Sequence, residues 1–253
     1  MLVGLNTRTS DVATLRQNVA EALLRQSRHV RDRSVRAIAN TDLALLFDLY
    51  DDHFFAGKLR RLIGERGAPS LTFRVTPRLT RAGGKTTRIR RPHPKLGRIA
   101  PIDEYEISIA SSLLFMSFND PQRPTIVTGH RCTDRLDALL RIYEHELTHL
   151  MELLQTDRSS CNRGPFQQAA RRMFGPTAYQ HGLVLPEEHA ARTHGVRVGQ
   201  IVRFSDGART LVGRVNRINK RATILVEDPA GRRYSDGKHY TGWYVPLDDL
   251  EPT

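Results

Sequence analysis

The sequence predicts an α+β protein in two parts, a larger mixed domain followed by a small all-β one. Three observations predict it. Residues 136–154 carry apolar side chains at three- and four-residue steps, the period of a helix with one buried face. Leu71-Thr-Phe-Arg-Val-Thr76 and Glu104-Tyr-Glu-Ile-Ser-Ile109 alternate instead, as half-buried strands do. Beyond the His194-Gly195 junction the pattern becomes short strands and tight turns. A length of 253 residues suits one or two domains, with a proper core in the larger.

At 39% hydrophobic and 26% charged the chain reads as globular rather than disordered. A formal charge of +12 favours nucleic acid or another polyanion as partner. Only five of the 39 basic residues are lysines, and an arginine-rich habit can also reflect genome composition. Cys132 and Cys161 make neither a disulfide framework nor a CxxC zinc ribbon. The first residues lack a basic segment followed by an apolar run, and no stretch reaches the roughly 18 apolar residues of a membrane helix. The expectation is a cytoplasmic protein with no membrane partner.

In chain order, residues 10–30 predict an amphipathic helix capped by Ser10 or Asp11, with an arginine-rich solvated face. Residues 1–40 are read as an N-terminal extension. A second helix spans about Thr41 to Phe55, with Gly57 suited to the turn that ends it. The Leu71–Thr76 strand stops at Pro77. Arg78 to Arg98 then holds eight basic residues and no acidic one, an exposed loop or hairpin. Arg78, Arg81, Lys85, Arg88, Arg90 and Arg91 are its candidate nucleic-acid contacts, set against a merely solvated segment. Gly84-Lys85-Thr86 is no phosphate-binding loop, because that motif needs a glycine where Leu79 stands. Glu104–Ile109 predicts a strand and Ala110–Phe118 a short buried helix.

The next helix carries His145-Glu146-Leu147-Thr148-His149, an HExxH pattern. Thr133 or Asp134 can cap it, and Asp134 and Asp137 suit its first turn. With 10 histidines in the chain, about 0.02 such matches are expected by chance, so the pattern carries weight. Residues four apart share a helix face, so both imidazoles can reach one ion. Histidine ligation makes Zn²⁺ the expected ion, and Glu146 beside it can take a proton from water. Histidines merely satisfied in a core would lie on the apolar stripe; His145 and His149 fall roughly opposite its centre.

After a loop at Ser159–Pro165, Phe166–Phe174 predicts a short helix stopped by Gly175-Pro176. Candidate strands follow at Val196–Phe204, Thr210–Ile218, Ala222–Val226 and Trp243–Pro246, with turns at Asp206-Gly207, Asn219-Lys220 and Asp228–Gly231. Residues 195–253 thus suggest a small closed SH3-like β-barrel. Tyr234, Tyr240, Trp243 and Tyr244 could stack on bases there, although core or rim packing is the commoner role.

Assembled, these residues resemble the SprT-like family, the Spartan-related zinc metalloprotease-like proteins. Leu49-Tyr50-Asp51 with Phe54-Phe55-Ala-Gly-Lys-Leu59, Arg78-Leu-Thr-Arg-Ala-Gly-Gly84, Glu106-Ile-Ser-Ile109 with Leu113-Leu114, and the HExxH helix carry the likeness. It implies a zincin-like SprT-type domain over residues 41–185. The tail from Val198 to Leu250 resembles a barrel found behind some bacterial members. One departure stands out. Where many members place their third metal-binding histidine in a Gly-His-Gly-Pro turn, this chain reads Asn162-Arg163-Gly164-Pro165. A related Phe-Gly-x-Thr pattern followed by His181 makes His181 the first choice for that ligand, Cys161 the second and Asp157 the third. A loop histidine, a small buried thiol and a helix-end carboxylate are the plain alternatives.

The resemblance implies a zinc-dependent metallopeptidase with His145, His149 and a downstream ligand on the ion, Glu146 as base, and protein substrates associated with DNA. Two rivals remain open. One is a non-catalytic nucleic-acid-binding protein on a degenerate scaffold, the other a structural zinc site closed by four protein ligands.

Overall fold

A computed structural model describes residues 9–65, 70–93 and 97–253. Residues 1–8 of the expected extension and residues 94–96 of the basic segment lie outside them. The chain divides into two compact units between Leu183 and Val184.

The first unit begins with α1 (Thr9–Gln26), whose Val19 and Leu23 are fully buried. It belongs to the body of this unit rather than to a separate extension. Next comes α2 (Asn40–Tyr50), continued by a wider π-helical turn over Asp51–Phe55. That turn ends in left-handed backbone at Ala56 and Gly57, the reversal expected near Gly57. The buried Asp51 carboxylate explains the local sequence. It accepts from Leu59 N at 2.8 Å and Arg60 N at 3.2 Å, capping α3 (Lys58–Glu65). Tyr50, Phe54 and Phe55 then pack with Tyr143 and Phe174 into an aromatic core, ring centroids 5.2–6.2 Å apart.

Strands β1 (Leu71–Thr76), β2 (Gly84–His93) and β3 (Gly97–Ala110) form a sheet in the order β1-β3-β2. β3 runs parallel to β1 and antiparallel to β2. Tyr105, Ile107 and Ile109 are fully buried. From Gly84 on, the basic segment is thus the arm of a hairpin, one of the two forms expected, with Arg88, Arg90 and Arg91 facing the acidic residues of β3. After α4 (Ser111–Met116), β4 (Thr125–Val127) and β5 (His130–Cys132) pair.

Helix α5 (Arg135–Thr156) holds the HExxH segment. Asp134 caps it, accepting from Asp137 N at 2.8 Å. Every residue of the predicted apolar stripe from Leu136 to Leu154 is buried. Glu144, Glu146 and Thr148 are buried too, so the helix is covered on far more than one face. It ends at Asp157, in left-handed backbone (φ 62°). Then α6 (Gly164–Phe174) packs against α5, and β6 (His181–Gly182) joins β4, with His181 opposite Val127.

The second unit contains α7 (Pro186–Thr193), β7 (Ile201–Ser205), β8 (Thr210–Ile218), β9 (Ala222–Arg233), β10 (His239–Val245) and β11 (Glu251–Pro252). All five strands form one antiparallel sheet, in the order β10-β9-β8-β7-β11. Val202, Phe204, Val215, Ile224 and Val245 build its core. Two expectations change. Residues 196–200 turn into β7 instead of extending it, with Gly199 at φ 87° and its N–H on Val215 O. Asp228–Gly231 lies within β9 at a shift of register, and the reversal falls at Tyr234–Lys238, where Gly237 has positive φ. Among the described residues the strand order is open rather than a closed barrel. β10 leads through a 3₁₀ turn at Leu247–Asp249 into the two-residue β11, whose Pro252 has no N–H to extend a ladder.

Candidate metal centre

Nearly three turns into α5, His145 and His149 project from the same side, with their Nε2 atoms 3.1 Å apart. Ligand nitrogens about 2.0–2.1 Å from a tetrahedral ion sit about 3.3 Å from each other, so the pair is already spaced as two ligands. Cys161 comes from the loop after α5. Its thiol and the two imidazoles place one ligand atom each within 4.8 Å of one another. This group could hold a metal ion.

The surroundings prepare these donors. Phe166, fully buried at the start of α6, lies against both rings, 5.0 Å from His145 and 4.4 Å from His149 between centroids. Loss of water pushes the His145 imidazole down to about 3, with the neighbouring His149 and His181 adding to the effect. Burial likewise lowers His149 to about 4. Both rings are therefore neutral at pH 7, as metal ligands must be. Burial moves the Cys161 thiol upward; a thiolate there needs a cation beside it.

The tautomer of His149 is set by a relay. Ser159 Oγ donates to Glu152 Oε2 at 2.6 Å and lies 2.7 Å from His149 Nδ1. A hydroxyl has one proton, so with that proton on Glu152 it accepts from Nδ1–H. The Nε2 lone pair of His149 is left facing the candidate metal position. A hydrogen-bonded acceptor behind a ligating imidazole is the usual second layer of a metal site.

Glu146, one residue on from His145, meets β2. Its carboxylate accepts from the Thr86 hydroxyl at 2.7 Å and from the Thr86 backbone N–H. Burial raises this carboxyl to about 7, even though those two bonds favour its charged form. Gly84 makes the approach possible. A Cβ there would lie 2.6 Å from Glu146 Cγ and 2.7 Å from Oε1.

His181, the first choice for third ligand from sequence, stands outside the group formed by His145, His149 and Cys161. Its Nε2 lies 3.2 Å from the Arg81 carbonyl, which can only accept, so Nε2 carries the proton. Its Nδ1 is buried without a hydrogen-bond partner. Asp157 is turned toward β2, where Arg88 lies 3.1 Å from its carboxylate.

The basic candidates divide. Arg78, Arg81 and Lys85 are exposed. Arg88 is paired with Asp103 at 2.6 Å, Arg90 with Asp103 at 3.3 Å and Arg91 with Glu104 at 2.6 Å. Three of the eight basic residues of the Arg78–Arg98 segment thus face carboxylates of the partner strand.

A second buried network braces the helix from behind. Arg16 of α1 grips Glu144 with two bonds, 2.6 and 2.9 Å, and Tyr50 adds a third at 3.0 Å. Ser159, Glu152, Thr86 and Arg16 carried no sequence signal for the site. Gly84 was visible only in the rejected Gly84-Lys85-Thr86 pattern and in the Arg78–Gly84 likeness. Among the described residues no helix is long and apolar enough to cross a membrane. Compared with protein-family models, with curated proteins and with solved structures, the chain matches none.

Proposed function

We propose that this chain is a zinc-dependent metallopeptidase of SprT-like type, with His145, His149 and Cys161 as ligands and Glu146 as general base. The observation that supports it most is the convergence of two neutral imidazoles and a thiol beside a buried carboxylate with its pKa near 7. Imidazole and thiolate donors suit zinc better than magnesium or calcium. When bound, the ion would polarise a scissile carbonyl and acidify a water next to it. Thr86 holds the Glu146 carboxylate in place, and that carboxylate would take the water's proton and deliver it to the leaving amine. A carboxyl poised near pH 7 is matched to both halves of that transfer.

The formal charge of +12 supports protein substrates that sit on a polyanion, and the resemblance implies that the polyanion is DNA. The five antiparallel strands of the second unit support an SH3-like assignment, the sheet left open between β10 and β11.

A second reading, a structural zinc site closed by His181 as fourth ligand, is favoured by the orphaned Nδ1 of that ring. The test is metal content of untagged protein, with activity on a casein-type substrate. One zinc per chain is expected in the wild type, lost in His149→Ala and Cys161→Ala and retained in His181→Ala. Glu146→Gln is expected to keep zinc and lose proteolysis by at least about 100-fold. Zinc lost in His181→Ala as well, with no proteolysis by the wild type, would favour the closed structural site. No zinc after reconstitution would leave only the binding-protein alternative.

A further inference from the structure

We propose that the solvent face of the five-stranded sheet in the second unit binds single-stranded nucleic acid, one base stacking on Tyr244 while Arg214 and Arg217 take phosphates. This goes beyond the peptidase reading and does not depend on it.

Strand alternation fixes which side chains share that face. Val202, Val215, Ile224 and Val245 point into the core, so their neighbours one residue along point out. Register then sets the rows. Ile201, Arg214, the buried Leu225 and Gly242 lie abreast on four strands, and Arg217, Thr223 and Tyr244 abreast on three. Tyr244 and Arg217 are two strands apart, about 10 Å at the usual spacing.

The exposure is unusual for such residues. Tyr244 is 72% exposed, the most of any large hydrophobic residue described, with Val212 at 51% and Ile201 at 41% on the same face. Next to Tyr244 along its strand is Gly242, where an added Cβ would meet nothing within 4 Å. One side of the ring is therefore open to a flat partner.

The charge on this face is positive and uncancelled where the aromatic ring sits. Among the described residues no carboxylate lies within ion-pair distance of Arg214 or Arg217, in contrast to the arginines of β2. With its amide oxygen turned toward Arg217, Asn219 holds that guanidinium at 3.0 Å, ordering it without neutralising it. Glu251 stands across from Arg203 at the β11 edge, so Arg203 is left out of the site. An exposed ring flanked by unpaired guanidiniums fits a polyanion whose bases are free to stack. A duplex has its bases already stacked and offers nothing to Tyr244.

The experiment is fluorescence anisotropy of a labelled oligothymidylate, and of a duplex of equal length, with the full chain at about 50 and 200 mM salt. Single strands are expected to bind more tightly than the duplex. Tyr244→Ala should raise Kd about 5- to 100-fold, while Tyr244→Phe stays near wild type. The double variant Arg214→Ala, Arg217→Ala should lower the salt slope by about 1.4. Arg90→Ala with Arg91→Ala on β2 should change little. No binding by the wild type at low salt, equal binding by Tyr244→Ala, or a loss confined to the β2 variant would overturn the proposal.

Discussion

Replacing Ser159 by alanine is expected to weaken zinc binding about 10- to 100-fold while leaving the fold intact. The serine hydroxyl is the only link in a chain of two short bonds, 2.7 Å to His149 and 2.6 Å to Glu152. Without it the His149 ring can place its proton on Nε2, and the lone pair that faces the metal position is lost. The hydrogen bond leads to a carboxylate, and bonds to charged groups are worth about 1.5–3 kcal/mol. At about 1.4 kcal/mol per decade that range is one to two decades of affinity. Glu152→Leu keeps the bulk but removes the acceptor, freeing the serine proton to point at His149 and favour the wrong tautomer. Its loss should resemble that of Ser159→Ala, and the double variant should be little worse than either single one, because the two act in series. Competition against a chromophoric chelator at fixed pH measures all three. Ser159→Thr should restore binding, and Ser160→Ala should have no effect. An affinity for Ser159→Ala within twofold of wild type, or fully additive losses, would refute the relay.

Gly84→Ala should cost about 1–3 kcal/mol of stability and most of the peptidase activity without displacing zinc, since the new methyl group collides with Glu146 and not with the ligands. Urea unfolding with metal content separates the two effects. Arg16→Ala should destabilise by about 3–5 kcal/mol, leaving Glu144 buried with one hydroxyl for company; the double variant Arg16→Leu, Glu144→Leu should recover much of that. In metal-free protein, His145 and His149 resist protonation when folded but not when unfolded. Stability should fall as pH drops from about 6.5 toward 4. Glu146 acts oppositely, binding its proton more tightly when folded between about pH 4.5 and 7, so Glu146→Gln should steepen the acid loss measured by urea midpoint. Cys132, pushed up to about 12 by burial, should resist alkylation at pH 8, whereas Cys161 should react and be protected by zinc.

What the sequence revealed was whatever depends on near neighbours. The α5 cap at Asp134, the apolar stripe, the β1 and β8 strands and the pairing of His145 with His149 all follow from spacings of two to four residues, which local geometry fixes. The partners of Glu146 and Glu144 did not follow. Thr86 lies 60 residues from Glu146 in the chain and Arg16 lies 128 from Glu144, and no local pattern marks either contact. The pairing of Arg88, Arg90 and Arg91 in the positive segment was hidden for the same reason. Their counter-charges, Asp103 and Glu104, are close in sequence but come into register only when β2 folds back on β3.

The choice of third ligand shows where spacing stops being enough. Cys161 and His181 follow His149 by 12 and 32 residues, and either distance permits a loop to return. The direction of that return is decided at Asp157, whose left-handed backbone ends α5 and turns the chain. Arg88 holds the turn from the hairpin side, on the Asp157 carboxylate at 3.1 Å and its carbonyl at 3.3 Å. From that reversal Ser159 comes to the back of His149 and Cys161 to its front, within five residues of the helix end. His181 instead enters on β6, committed to the Arg81 carbonyl by the ring nitrogen that carries its proton. The same short loop thus supplies a candidate ligand and the group that orients another. The metal site should therefore depend more on the conformation at Asp157 than on anything in the 159–165 sequence except Ser159 and Cys161.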